Sequence, residues 1–311
     1  MSLTAKQLIE KDTGYQRVKF NPFKKGYFID KTTRLQGITK KLQACFWPNY
    51  VLKTSRPSER EKLNMAFTVG KTFDAKSMGD GRLRGSILHK EIEEFTKMKN
   101  SSKEEFEQYK KKLVSDHLHG ITYYTLIALS EYGLRPIIPE LRVGSKEDKL
   151  GTAIDIVCTN EQDEICLVEL KSGYAGVFSV GDNQLDRLAL RSGESNTDCP
   201  LNQAIIQLAV TAVLYEKTFS DLAKATKFYV LNVNDREDPK LYRLVEDKSV
   251  LFENRHEIYE IFLSFLAAQQ QQKQDAAKGR RGKSNKGAKR EKKEDTDRVE
   301  KDAKKVKRKA K

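Results

Sequence analysis

The chain is short of the residues that build disulfide frameworks, zinc ribbons and membrane spans. Four cysteines occur in 311 residues, at Cys45, Cys158, Cys166 and Cys199, and no two have CxxC spacing. A structural zinc site is therefore not expected, and the four are read as reduced core thiols of an intracellular protein, a disulfide being the alternative. No apolar run approaches the thickness of a bilayer, so no membrane partner is expected. The opening residues, MSLTAKQLIEKDTGYQ, lack a signal-peptide core and contain acids, which also argues against a transit peptide. No GxxxxGK followed by Ser or Thr is present, so the chain is not itself an ATP-driven motor. Internal repeats are absent as well.

What is abundant is charge, and it is unevenly placed. The net charge is +14, with 33% charged and 38% hydrophobic residues. Residues 269–311 hold 18 Lys+Arg and 7 Asp+Glu, a net of +11, and the remaining 40 basic and 37 acidic residues leave only +3. That C-terminal stretch has no aromatic residue and cannot bury enough surface to offset its ordering entropy. It is expected to be a disordered Lys/Arg-rich tail that solubilises the chain, holds nucleic acid through phosphates, or directs the protein to the nucleus through KKVKRKAK. Residues 1–80 are basic with interleaved aromatics: Tyr15, Phe20, Phe23, Tyr27, Phe28, Phe46, Trp47 and Tyr50. Such a segment either stacks bases and contacts phosphates or packs on the core as ordinary structure.

The middle of the chain reads as alternating elements. Arg82–Met98 is a helix with Leu88, Ile92 and Phe95 on one stripe and Gly85, His89 and Glu93 on the next. Ser102 and Glu105 form a capping box for a second helix through Phe106, Tyr109 and Leu113. A third begins near His119 and ends at Gly133, with Pro136 beyond. Ile137–Val143 is a strand, Asn202–Tyr215 an apolar helix, Lys227–Asn232 and Leu241–Val245 a strand pair, and Phe252–Ala268 an amphipathic helix. The order predicts an α/β fold, a small mixed central sheet flanked by helices. The expected divisions are 1–80, a core over 81–268, and the tail over 269–311.

Residues 151–173, GTAIDIVCTNEQDEICLVELKSG, carry the chemistry. Two apolar runs, Ala153–Cys158 and Ile165–Leu170, flank a polar turn and predict a β-hairpin. Glu169 and Lys171 are two apart and share a face. A turn centred on Gln162 sets Asp155 across from Glu169, and Cys158 across from Cys166. Two carboxylates and an amine then meet on a buried sheet. Carboxylates suit a hard divalent cation, and an amine can orient water or offset negative charge at a phosphate. The triplet alone is weak evidence: acid-x-Lys recurs at Asp74, Glu147, Asp238 and Glu291, though never within an apolar run. A structural Glu–Lys contact is the plain alternative.

The order of motifs resembles the RecB-like exonuclease branch of the PD-(D/E)XK nuclease superfamily, with Ile154 where the superfamily name has proline. Gly85-Ser-Ile-Leu-His89 with Glu93 comes first, then Glu140 in IPELRV, Gly151-Thr-Ala-Ile-Asp155, Glu169-Leu-Lys171, and Gln207-Leu-Ala-Val-Thr211. The likeness spans residues 81–232 and departs at Thr211, where the branch has tyrosine. It implies a restriction-endonuclease-like core and Mg²⁺ or Mn²⁺, as one or two ions. His89, Asp155, Glu169 and the backbone carbonyl of Leu170 would hold metal, the imidazole suiting Mn²⁺. Lys171 would assist the nucleophile, with Gln207 positioning it, and Glu140 would steady a water of the metal or orient Lys171. Only Cys199 follows the Glu-x-Lys strand, so no iron–sulfur cluster is expected.

The implied activity is phosphodiester hydrolysis in DNA, at single strands or duplex ends, in replication, repair or recombination. A helicase or other replication partner, and a nuclear or viral setting, fit the same resemblance. The alternatives are a nuclease acting on RNA or junctions, or a nucleic-acid-binding protein on a nuclease scaffold that no longer cuts, which the altered Thr211 position would fit. His117, His119 and His256 are not expected to be ligands.

Overall fold

One mixed sheet of eight strands, flanked by helices, organises the described part of the chain in an α/β fold. The computed structural model describes residues 3–15, 17–24, 26–30, 32–48, 81–99, 120–172, 178–179, 185, 188, 197–233 and 238–276. The helix expected from Ser102, His117 and His119, most of residues 173–196, and the tail beyond 276 lie outside these residues. By internal contact the chain divides into two units, Met1–Phe262 and Leu263–Lys311.

The first unit begins with α1 (Ala5–Lys11), closed at its N-terminus by a capping box in which Thr4 accepts from the Gln7 N–H and Gln7 accepts from the Thr4 N–H. Three short strands follow, β1 (Val18–Asn21), β2 (Gly26–Ile29) and β3 (Thr33–Gly37), paired as an antiparallel meander. Then come α2 (Thr39–Phe46), α3 (Gly81–Lys99), α4 (Gly120–Glu131), β4 (Arg135–Ser145), β5 (Leu150–Thr159), β6 (Ile165–Ser172) and α5 (Pro200–Thr218). Strands β7 (Ala225–Val233) and β8 (Lys240–Arg243) and the short α6 (Val250–Glu253) lead into helical residues over 255–276. The sheet is larger than the small one expected, because residues 18–37 supply three strands that no strong apolar alternation announces.

Helix α4 stops where the sequence indicates. Gly133 takes φ +68°, and the Leu134 N–H turns back to the Leu129 carbonyl at 2.7 Å. That is a left-handed C-terminal cap, which glycine adopts without a Cβ penalty. The final helix overruns its expected end at Ala268. In the second unit its Gln-rich residues remain helical to 276, with Gln271 donating to Asp275 one turn on. Gln and Lys are good helix formers, so polarity alone does not end the helix.

The two faces of the sheet are covered differently. Val168 and Leu170 of β6, Tyr229, Leu231 and Val233 of β7, and Ile156 and Cys158 of β5 pack with Leu88 and Ile92 of α3 and Leu129 of α4. Alternation turns Asp155, Glu169 and Lys171 to the other face, where Gln207 of α5 reaches Lys171. Helix α5 is apolar nearly all round and buried along most of its length, as a helix enclosed in the core must be.

The edges of β5 decide where the site forms. On one side β4 runs antiparallel along its length. On the other, β3 pairs in parallel only at Leu150 and Gly151, and β6 pairs only from Ile156 to Thr159. Between them the sheet parts, and Asp155 sits at the parting. Gly144 and Gly151 face each other across β4 and β5, with Leu35 of the meander lying over both. A Cβ on Gly144 would come within 2.6 Å of Leu35 Cδ1 and 2.8 Å of the Leu150 carbonyl. Gly151, read as part of a motif, is thus also the seat of the meander.

Candidate metal centre

Five elements bring the expected residues to one place. Helix α3 carries His89 beside its buried residues Leu88 and Ile92. Strand β4 carries Glu140, which follows Pro139 in register opposite the Asp155 position of β5. Strand β6 carries Glu169 and Lys171, and α5 carries Gln207. The hairpin has the register its turn implies: Cys158 pairs with Cys166, and Asn160 Oδ1 accepts from the backbone N–H of Gln162 and Glu164 to close the turn.

Within this set two groups separate. His89 Nδ1 lies 3.0 Å from Glu140 Oε1 and 3.6 Å from Asp155 Oδ1, and ligand atoms of these three residues all fall within 4.8 Å of one another. Asp155 is held from behind, because its Oδ2 accepts the Leu170 N–H at 2.8 Å, just beyond the point where the β5–β6 ladder ends. The second group is Lys171, which donates to Glu169 Oε1 and, at 3.4 Å, to Gln207 Oε1.

The electrostatics follow from burial. The Glu169 side chain is 1% exposed and that of Asp155 12%. Burial, then the neighbouring Asp155, push the Glu169 carboxyl up to about 7, against the pull of Lys171 and His89. Burial raises Asp155 too, with Glu140 adding to the rise and His89, Lys171 and the Leu170 N–H opposing it. Burial works against charge on His89, but Asp155 and Glu140 outweigh it, and Glu169 adds to them, so its pKa is pushed up to about 9. Two basic groups, His89 and Lys171, thus face three crowded acids, Glu140, Asp155 and Glu169. Imidazole and carboxylate oxygens are also the donor types of a divalent-cation site.

No protein-family model matches the chain, and no curated protein matches it. Among solved structures, a candidate exonuclease from Eubacterium rectale is similar at a TM-score of 0.28 and 12% identity, over 64% of this chain and 72% of that one. A likeness that loose assigns neither fold nor site.

The expected residues stand in altered relations. Glu169, expected as a ligand, lies outside the three-residue cluster and pairs with Lys171, while Glu140 stands inside it. Leu170, expected to contribute its carbonyl, meets Asp155 through its N–H. Thr211, in the tyrosine position, is buried and returns its hydroxyl to the Gln207 carbonyl at 2.7 Å. Glu93 is drawn away to Lys97 along α3, and His256 is exposed beside Glu216. Gly85 is not forced by crowding, since a Cβ there would meet Ser172 Oγ at an ordinary 3.7 Å. A cavity of about 510 Å³ between α4 and β4, lined by Phe95, Leu126, Leu134 and Pro136, shares no residue with the cluster.

Two features escaped sequence reasoning. Asn232 of β7 pairs in register with Lys171 and so shares its sheet face, and its buried Oδ1 has no hydrogen-bond partner among the described residues. Its only signal was a polar residue inside the apolar run FYVLNV. Glu140 has φ +49°, left-handed backbone inside a strand, without the glycine or asparagine that would have advertised it.

That strain yields a test. Glu140→Gly and Glu140→Ala both remove the carboxylate, but only glycine also relieves the backbone. The glycine variant is expected to be the more stable of the two by about 1 kcal/mol in thermal unfolding, the usual cost of left-handed backbone for a residue with a Cβ. Equal stabilities would show that the left-handed backbone carries no strain.

Proposed function

We propose that the chain is a metal-dependent nuclease that hydrolyses DNA phosphodiester bonds, acting as an exonuclease on ends or single strands. The observation that carries this reading is the convergence of His89, Glu140 and Asp155 within 4.8 Å, beside a separate Lys171–Glu169–Gln207 group. A structural ion pair would need only Glu169 and Lys171.

The donor set fits a divalent cation. Two carboxylate side chains and an imidazole face one another, and the imidazole favours Mn²⁺ while the carboxylates admit Mg²⁺. When bound, such an ion offsets phosphate charge and makes water a better nucleophile at neutral pH. The protein residues do the positioning. The Leu170 N–H fixes the rotation of Asp155, so that Oδ1 stays turned toward His89. Glu140 Oε1 lies 3.0 Å from His89 Nδ1, which sets these two donors side by side. Glu169 and Gln207 restrict the Lys171 ammonium to one region, where it can meet a phosphate oxygen or hold an attacking water. Glu140 is thus the third ligand and Glu169 the anchor of the lysine.

The test is cleavage of end-labelled single-stranded, blunt and nicked DNA, and of RNA, by the purified chain in Mg²⁺, Mn²⁺ or EDTA. The expected result is mononucleotide or short products from single-stranded or blunt DNA, with Mn²⁺ at least as good as Mg²⁺ and none in EDTA. Absence of cleavage with both metals on every substrate would overturn the proposal. Cutting confined to RNA would replace its substrate.

A further inference from the structure

The β1–β3 meander borders the metal cluster, and its surface has chemistry the cluster does not use. In register, Phe20 of β1 stands beside Tyr27 of β2, and Tyr27 beside Leu35 of β3. Leu35 and Tyr27 lie over Gly151 of β5: a Cβ there would come within 2.9 Å of Leu35 Cδ1 and 3.2 Å of Tyr27 Cβ. Along that face of β4 and β5 the next row is Arg142 with Ala153, and the row after it is Glu140 with Asp155. Aromatic ring, guanidinium and metal cluster therefore follow one another along one strip of sheet. The Tyr27 hydroxyl fits this order: burial raises its pKa first, with Glu140, Arg142 and Asp155 all within electrostatic reach.

The strip is open and positive. Phe20 is 41% exposed and meets Tyr27 edge-on, with centroids 5.3 Å apart. Arg142 is exposed and forms no ion pair among the described residues. Residues 17–37 contain six basic residues and one acid, Asp30, which Arg17 and Lys146 already engage at 3.2 Å each. On the outer face Lys19, Phe28 and Arg34 form one exposed or half-buried row with the Lys24 ammonium over the Phe28 ring, and Phe23 at the β1–β2 turn is 96% exposed.

We infer that Phe20, Tyr27 and Arg142 form a binding site for a DNA single strand, resting on the nuclease reading above. An unpaired base stacks on the Phe20–Tyr27 pair, and Arg142 takes the phosphate between that base and the cluster. The occupant is a single strand because stacking on a side chain needs a base whose face is free, and a duplex hides both faces of every internal base. A guanidinium suits a phosphate through its forked donors, and an aromatic face is indifferent to sequence, as an exonuclease requires. The meander then serves to feed the strand across Arg142 to the cluster, and the two glycines let it sit close enough to do so.

The test measures binding in EDTA, where nothing is cut, using full-length protein and a single-stranded oligonucleotide carrying 2-aminopurine. Phe20→Leu keeps the apolar bulk and removes the ring, and Arg142→Gln keeps the length and removes the charge. Both positions are exposed, so melting temperatures should stay unchanged. Phe20→Leu should weaken binding by about 5-fold or more, the low end for a base–aromatic stack, and reduce the quenching of 2-aminopurine. Arg142→Gln should weaken binding and lower the slope of log affinity against log salt by about 1, the loss of one phosphate contact. Blunt duplex binding should change with neither. Wild-type affinity in either variant, or an equal loss on duplex, would overturn the inference. Failure of the nuclease reading looks different, because it is the wild type that then cuts nothing in metal.

Discussion

Lys171→Met is expected to end cleavage while leaving folding and DNA binding in place. The Lys171 ammonium is restrained by Glu169 Oε1 and Gln207 Oε1, while His89 stands against Glu140. Removing a preorganised charge from a developing transition state lowers rates by about 10²–10³-fold, and that is the minimum expected in single-turnover cleavage of labelled DNA. Met fills much of the lysine stem's volume. The question is what becomes of Glu169, which is 1% exposed and loses its partner. Its pKa already stands at about 7 and must rise further, so at neutral pH the buried carboxyl takes a proton and is not stranded as a charge. The variant should therefore fold, and in EDTA it should bind single-stranded DNA within a few-fold of wild type, because Lys171 is only one of many cations on the chain. Cleavage at the wild-type rate would mean that Glu169 and Lys171 are a structural pair.

Asp155→Asn is expected to remove the metal. The amide is nearly isosteric, and its oxygen can keep the Leu170 N–H that now bonds Asp155 Oδ2. The fold at the parting of β5 and β6 is therefore preserved. The amide nitrogen is then left facing His89 and Glu140, where it can only donate. Losing an outer-shell partner costs a metal site about 10–100-fold in affinity, so loss of a direct ligand should cost at least about 100-fold. Calorimetric titration with Mn²⁺ checks this, and cleavage should fall with it. Tight binding of Mn²⁺ by Asp155→Asn would move the metal away from this cluster.

Much of this site was legible because local rules fixed it. The turn at Asn160–Glu164 sets the hairpin register, and the register alone puts Asp155 and Glu169 on one face. Helical spacing set His89 one residue from the buried Leu88. What was not legible depends on distant parts of the chain. The short parallel pairing of β3 with β5 joins residues more than a hundred positions apart and has no local signal. It is nonetheless part of why the ladder opens at Asp155. The placement of Glu140 beside His89 and of Glu169 beside Lys171 has the same origin. Register brings Asp155 and Glu169 together, but Lys171 is nearer to Glu169, and the left-handed turn at Glu140 places its carboxylate beside His89. No residue type at position 140 announces that backbone.

The measurement that bears most directly on the account is anomalous X-ray diffraction from crystals of the chain soaked in Mn²⁺. An anomalous peak is expected between His89, Glu140 and Asp155, with Lys171 still restrained by Glu169 or Gln207. A peak at another position, or none at Mn²⁺ concentrations that support cleavage, would contradict it.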